Sequence, residues 1–319
     1  MRTWLGPLIV VAALATSCGD ANGVRTIRAK GRLPAGAADG IPNAEHAVWG
    51  KDDRKKLTNF AYPYSSIGRV GPTGCTGTLV GPRHVLTAAH CLAFLSTGEL
   101  VLPTFTPSYG SSFQGRAISA YKANVLRDIR SNVYDVEKSE WKDVKWDAEN
   151  FAFDIAVLTL EEDIGYDYGW MPVRAFDSSL RKRNLFTNVG YPTDLGDNEV
   201  AYFTEGCRVD EFNSKRSDGV RSHELKTKCD TTYGNSGGPL FVSTQSNLFG
   251  IMGVCSGHST SKWGWLPRKT DSTNYFSGGP SLVMLVSEAL SQSGHSDQLL
   301  SATQTRGRAP SRAMQPASN

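Results

Sequence analysis

A serine held between glycines opens the chemical reading of this chain. In Gly234-Asn235-Ser236-Gly237-Gly238-Pro239-Leu240, the flanking glycines let a tight turn expose the hydroxyl and aim backbone N–H groups at a developing oxyanion. A surface Gly-Ser turn is the bland alternative. Far upstream, Leu86-Thr87-Ala88-Ala89-His90-Cys91 offers a base. The expected strand Arg83 to Thr87 runs into a small-residue turn, which sets His90 at the mouth of a sheet rather than within its wall. A bridge between Cys75 and Cys91 would staple that hairpin. Closing a loop of about 15 residues contributes about 3 kcal/mol in the chain-entropy model. A lone histidine is more often structural, but the adjoining Cys and the distant Ser motif argue for a working one. The third requirement is a carboxylate that holds an imidazole in one tautomer. Asp154, in Phe153-Asp154-Ile155-Ala156-Val157-Leu158, opens a continuous apolar run, unlike Asp143, Asp147, Glu161 and Glu162. A buried acid needs a partner, and His90 is the natural one; a strand-capping Asp is the alternative.

These side chains need strands to position them. Short β-branched and aromatic runs alternate with Gly, Pro, Asn and Asp: Ser66 to Val70, Thr76 to Val80, Arg83 to Thr87, Ile155 to Leu160, Asn188 to Tyr191, Leu240 to Val242 and Phe249 to Val254. That texture predicts an antiparallel all-β sandwich or barrel. One helix is expected after Gly279-Pro280, where Leu282, Leu285, Val286, Ala289 and Leu290 recur at helical steps. With 319 residues and 39% hydrophobic content, the chain can bury a large core. A net charge of +3 without basic runs gives no nucleic-acid footprint.

The apolar stretch Trp4 to Ala15 falls short of the roughly 20 residues a spanning helix needs. With Arg2 before it and Ala13-Leu14-Ala15 as a small-residue cleavage site at its end, it reads as a secretory signal peptide over residues 1–18. Ala15-Thr16-Ser17-Cys18 also fits a lipoprotein signal, so an ordinary signal and a lipid anchor through Cys18 both stay open. Residues 19–44 show no helical or strand period and read as a prosegment or linker. Residues 296–319 read as a disordered tail. No CxxC pair exists to hold structural zinc.

The order His90, Asp154, Ser236, with TAAHC, FDIAVLTL and GNSGGPL, resembles the chymotrypsin-like serine peptidases over residues 45–295. Gly50-Lys51-Asp52-Asp53-Arg54, Cys75 to Val80, Ile164 to Trp170 and Val189-Gly190-Tyr191-Pro192 are similar to the glutamyl endopeptidase branch. High-temperature-requirement proteases share GNSGGPL but lack the Cys after the histidine. The resemblance implies an all-β fold of two antiparallel six-stranded β-barrels with a C-terminal helix. It further implies a secreted endopeptidase acting on proteins or peptides, with the N–H groups of Gly234 and Ser236 as oxyanion hole and Cys207 paired to Cys229. No metal or organic cofactor and no nucleic acid are called for, and a monomer is expected.

Two departures from the family pattern carry consequences. Trypsin-like zymogens place an Asp before the nucleophile to pair with a freshly cut N-terminus; Asn235 cannot make that ion pair. Activation is expected by another route, with a removable prosegment ending near residues 40 to 50. In the pocket, Thr231 matches the glutamyl branch, but the pocket His expected after Gly250-Ile251 is Met252, followed by Gly253 and Val254. Asp230 stands where trypsin-like enzymes attract Lys or Arg, which favours basic residues; a structural acid is the alternative. Cys255 falls on the pocket wall, as a free thiol or an inert buried one. A catalytically silent homologue that binds a partner is the rival from another class.

Overall fold

The computed structural model describes residues 23–34, 48, 50–126, 132–143, 148–243, 249–259 and 273–293. The expected signal peptide, Cys18 and the expected tail lie outside the described residues.

The first half contains β1 (Arg25–Gly31), β2 (Lys55–Lys56), β3 (Ile67–Gly71), β4 (Cys75–Leu79), β5 (His84–Thr87), β6 (Ala93–Leu95), β7 (Leu100–Val101) and β8 (Thr104–Pro107). It continues with β9 (Ile118–Val125), β10 (Asn132–Asp135), β11 (Glu140–Asp143) and β12 (Ala156–Leu160). After the one-turn helix α1 (Gly165–Tyr168) come β13 (Phe186–Gly190), β14 (Tyr202–Cys207), β15 (Val209–Ser217), β16 (Val220–Thr227), β17 (Pro239–Ser243), β18 (Phe249–Ser259), β19 (Thr273–Gly278) and the helix α2 (Pro280–Ser291).

The order β9-β12-β5-β4-β3-β8 closes on itself through the β9–β8 pairing, which makes a six-stranded barrel. Its interior is filled by residues such as Ile67, Val70, Leu79, Val85, Phe105 and Leu158, all within 1% exposure. Closure leaves no free barrel edge to aggregate. The second half, joined by β2 from the first, forms an eight-stranded sheet, β15-β16-β19-β18-β17-β13-β14-β2, around a separate cluster of Phe186, Val209, Leu225, Leu240 and Phe276. Pro280 at the first turn of α2 starts the helix without needing its missing N–H. Leu282, Leu285, Val286, Ala289 and Leu290 then turn inward to the main core.

One expectation is corrected. Residues 25–31, read as part of a linker without strand period, form β1, antiparallel to β9 and parallel to β7. The inward positions Ile27, Ala29 and Gly31 do alternate with exposed Arg28 and Lys30, but they carry too little apolar surface to show as a period. Backbone pairing to β9 and β7 makes this strand, and side-chain patterning does not report it.

Candidate active site

The turn Ala89–Cys91 follows β5 directly and leaves His90 at the rim of the barrel, with its side chain 17% exposed. Four attachments hold it. The N–H of His90 donates to Asp154 Oδ1 at 2.8 Å, and its ring Nδ1 meets Asp154 Oδ2 at 2.6 Å. Its carbonyl accepts from Asn132 Nδ2 on β10 at 2.5 Å. Cys91 is tied to Cys75 on β4 with Cα atoms 6.0 Å apart.

Asp154 is completely buried, and its charge is answered by these two bonds and by Ser256 Oγ, which donates to Oδ2 at 2.6 Å. Three donors on one buried carboxylate leave the imidazole a single orientation. The segment delivering Asp154 is gripped by the second sheet. Ser222 on β16 donates to the carbonyl of Ala152, and Ser277 on β19 to that of Phe151.

Ser236 lies in the loop between β16 and β17, where Gly234 and Gly237 take φ of +93° and +81°. A side chain at Gly234 would collide with the Tyr191 carbonyl, and one at Gly237 with the Thr76 carbonyl. Thr76 on β4 fixes the loop from the other sheet. Its N–H donates to the Ser236 carbonyl at 2.8 Å and its Oγ1 to the Gly234 carbonyl at 2.7 Å. Gly237 N–H donates to the Cys255 carbonyl, and Cys255 N–H to that of Gly238, both at 2.8 Å.

Asp230 and Thr231 are buried on the same loop, and Cys229 bridges to Cys207 with Cα atoms 5.1 Å apart. Asp230 Oδ2 accepts from the backbone N–H of Asp53 at 3.2 Å. Met252 packs into the second hydrophobic cluster and Val254 into the main core, while Gly253 lies against Leu225 and Phe276. Cys255 is a free, buried cysteine, and burial pushes its thiol up to about 12. His90, Cys75 and Cys91 bring a ring nitrogen and two sulfurs within 4.8 Å of one another, but sulfurs joined to each other have no thiolate to offer a metal.

A protein-family profile described as Trypsin matches residues 58–266. The chain belongs to the trypsin family. It is 28% identical over 233 residues to a glutamyl endopeptidase of Bacillus licheniformis, covering 72% of this chain and 64% of that protein. It is also 27% identical over 185 residues to glucanase inhibitor protein 1 of Phytophthora sojae, covering 55% of this chain and 64% of that one. Over 57 residues it is 44% identical to inactive serine protease 35 of Rattus norvegicus, covering 16% of this chain and 13% of that protein. A solved structure of a Glu endopeptidase in complex with MPD aligns with TM-score 0.53 and 21% identity, covering 77% of this chain and all of that one, and so shares the fold.

Within this trypsin-family frame, sequence reading had singled out His90 and Asp154, which the structure joins, and Cys75, Cys91, Cys207 and Cys229, which it bridges as expected. It missed Ser256 and Asn132. Neither sits in a patterned stretch, and a hydroxyl in Val254-Cys255-Ser256-Gly257 gives no sign of facing a carboxylate that lies 102 positions away in sequence.

Proposed function

We propose that the chain is a secreted serine endopeptidase that cleaves protein or peptide substrates through His90, Asp154 and Ser236. The observation that carries this reading is the fully buried Asp154 carboxylate receiving both the backbone N–H and the ring Nδ1 of His90. A buried carboxylate needs paired, hydrogen-bonded partners, and these bonds hold the imidazole in one orientation, the task of the acid in a Ser-His-Asp triad. In the reaction, His90 Nε2 takes the Ser236 hydroxyl proton as Oγ attacks the peptide carbonyl. The N–H groups of Gly234 and Ser236 receive the oxyanion, and collapse expels the amine with the proton His90 returns. Water, deprotonated by the same imidazole, then hydrolyses the acyl-enzyme and frees Ser236.

Residues 45–295 constitute the peptidase domain in this reading, and residues 1–18 direct export. The two disulfides fit an oxidising compartment; a lipid anchor through Cys18 is the variant in which export ends at a membrane. For specificity, Asp230 favours Lys or Arg. The name of the Bacillus relative points to glutamate instead. Here, however, the buried acid Asp230 stands next to Thr231 in the chain and would repel a second carboxylate.

A fluorophosphonate probe together with chromogenic peptides ending in Lys, Arg or Glu tests the reading. The purified protein should be labelled and should prefer the basic peptides, and Ser236→Ala should lose on the order of 10⁶-fold in kcat. Hydrolysis of the Glu peptide alone would reverse the specificity. The absence of labelling would favour a silent binding homologue, a role consistent with relatives named as an inactive protease and an inhibitor protein.

A further inference from the structure

Arg54 carries a charge that the chemistry above does not use. Its side chain is 2% exposed, and all five of its N–H groups are taken. Nε and Nη2 donate to the two oxygens of Asp52 at 2.9 and 2.7 Å. Nη1 and Nη2 donate to the two oxygens of Asp194 at 2.9 and 2.6 Å. The remaining Nη1 hydrogen goes to Thr232 Oγ1 at 2.8 Å.

These bonds lead toward the nucleophile. Thr232 Oγ1 donates onward to Asp194 at 2.5 Å. Thr232 N–H donates to Asn235 Oδ1 at 3.2 Å, and Asn235 N–H returns to the Thr232 carbonyl at 3.0 Å. One residue before Arg54, the Asp53 N–H reaches the pocket acid Asp230. Directly after it, Lys55 and Lys56 pair with Phe203 and Tyr202 of β14, which fixes the register of the strap. A strap 140 to 178 residues away in sequence therefore touches Asp194, the pocket acid and Thr232, which itself bonds Asn235 beside the nucleophile.

A plain stabilising role accounts poorly for this arrangement. Asp52 and Asp194 remain 37% and 24% exposed, so water already satisfies them, and a buried guanidinium returns little net stability once its desolvation is counted. What the planar five-donor fork does supply is fixed geometry. We infer that Arg54 is a positioning residue for the 230–236 loop: its internal guanidinium holds the pocket and the oxyanion donors in working shape, so the site forms without a newly freed amino terminus. The inference rests on the peptidase reading for its effect on rate, but not for its effect on the loop.

The test uses the full chain with Arg54→Ala and Arg54→Lys, read by chromogenic turnover and by amide hydrogen exchange. Arg54→Ala should keep its overall fold by circular dichroism and lose on the order of 10²-fold in kcat, the scale of a lost oxyanion donor. Ethylguanidinium at low millimolar concentration should restore part of that loss by entering the vacated site. Exchange should quicken at 230–238 and stay unchanged in the first barrel. Arg54→Lys, which keeps the charge without the fork, should fall between the two and serves as the informative variant if the alanine protein does not fold. Unchanged exchange at 230–238, absence of rescue, or full activity in Arg54→Lys would overturn the inference. An inactive wild-type protein would sink the peptidase reading alone, and the exchange result would still decide whether Arg54 positions the loop.

Discussion

The Asp154 carboxylate has no exposed surface, so each of its hydrogen bonds is felt by His90. Ser256 supplies one of them at 2.6 Å. A hydrogen bond to a charged group contributes about 1.5–3 kcal/mol, so Ser256→Ala should lower kcat/KM by roughly 10- to 100-fold with the fold retained. Steady-state kinetics on a protein of unchanged circular dichroism checks this, and undiminished kcat/KM would refute it. Cys255 gives a second residue-scale expectation. Burial raises its thiol from an ordinary 9.0 to about 12, so iodoacetamide should label it only after unfolding. A folded-state value above the unfolded one means that its contribution is whole below pH 9.0 and fades as pH rises toward 12. Compared with Cys255→Val, the wild-type Tm should therefore fall more steeply over that alkaline window. His90 and Asp154 were legible as residues because each stands against a patterned background. Ser256, Asn132 and Arg54 were not, since a hydroxyl, an amide and a guanidinium in polar stretches look the same whether solvated or buried.

Among the elements, the β4–β5 hairpin and the turn that follows it depend on the Cys75–Cys91 bridge. Replacing both cysteines by Ser should cost about 3 kcal/mol, seen calorimetrically as a Tm lower by at least about 5 °C. Turnover measured well below the transition should drop as well, because the His90 backbone loses its anchor; a variant with unaltered Tm would speak against the bridge as a support. The strand β1 belongs to the same scale. It covers the β9 edge between Lys122 and Val125, so deleting residues 23–34 should open those amides to rapid hydrogen exchange. Their continued protection would mean that β1 is dispensable. Strands rich in branched or aromatic residues, such as β3, β5, β12 and β18, were readable. The charged hairpin β15–β16 and the sparse β1 were not, because their pairing is made by backbone groups that every sequence possesses.

At the scale of the whole molecule, the two sheets share one site. Thr76 from the barrel holds the carbonyls on either side of Asn235, while Ser222, Ser277 and Ser256 from the second sheet hold the Asp154 segment. Neither half completes the geometry without the other. Urea unfolding followed by turnover, tryptophan fluorescence and far-ultraviolet circular dichroism should therefore give coincident transitions. Activity lost well before either spectroscopic change would show that the halves separate first.

The residue types alone decided the chemistry open to this chain. A hydroxyl among glycines, an imidazole beside a cystine and an acid heading an apolar run each have a local reason to be where they are. Local reasons are what a one-dimensional string records. Tertiary structure decided which polar groups face the buried acid and how a strap near residue 54 reaches the 230–236 loop. The Ser256 and Arg54 contacts join positions more than a hundred residues apart, and distance through space is set only when both sheets have closed.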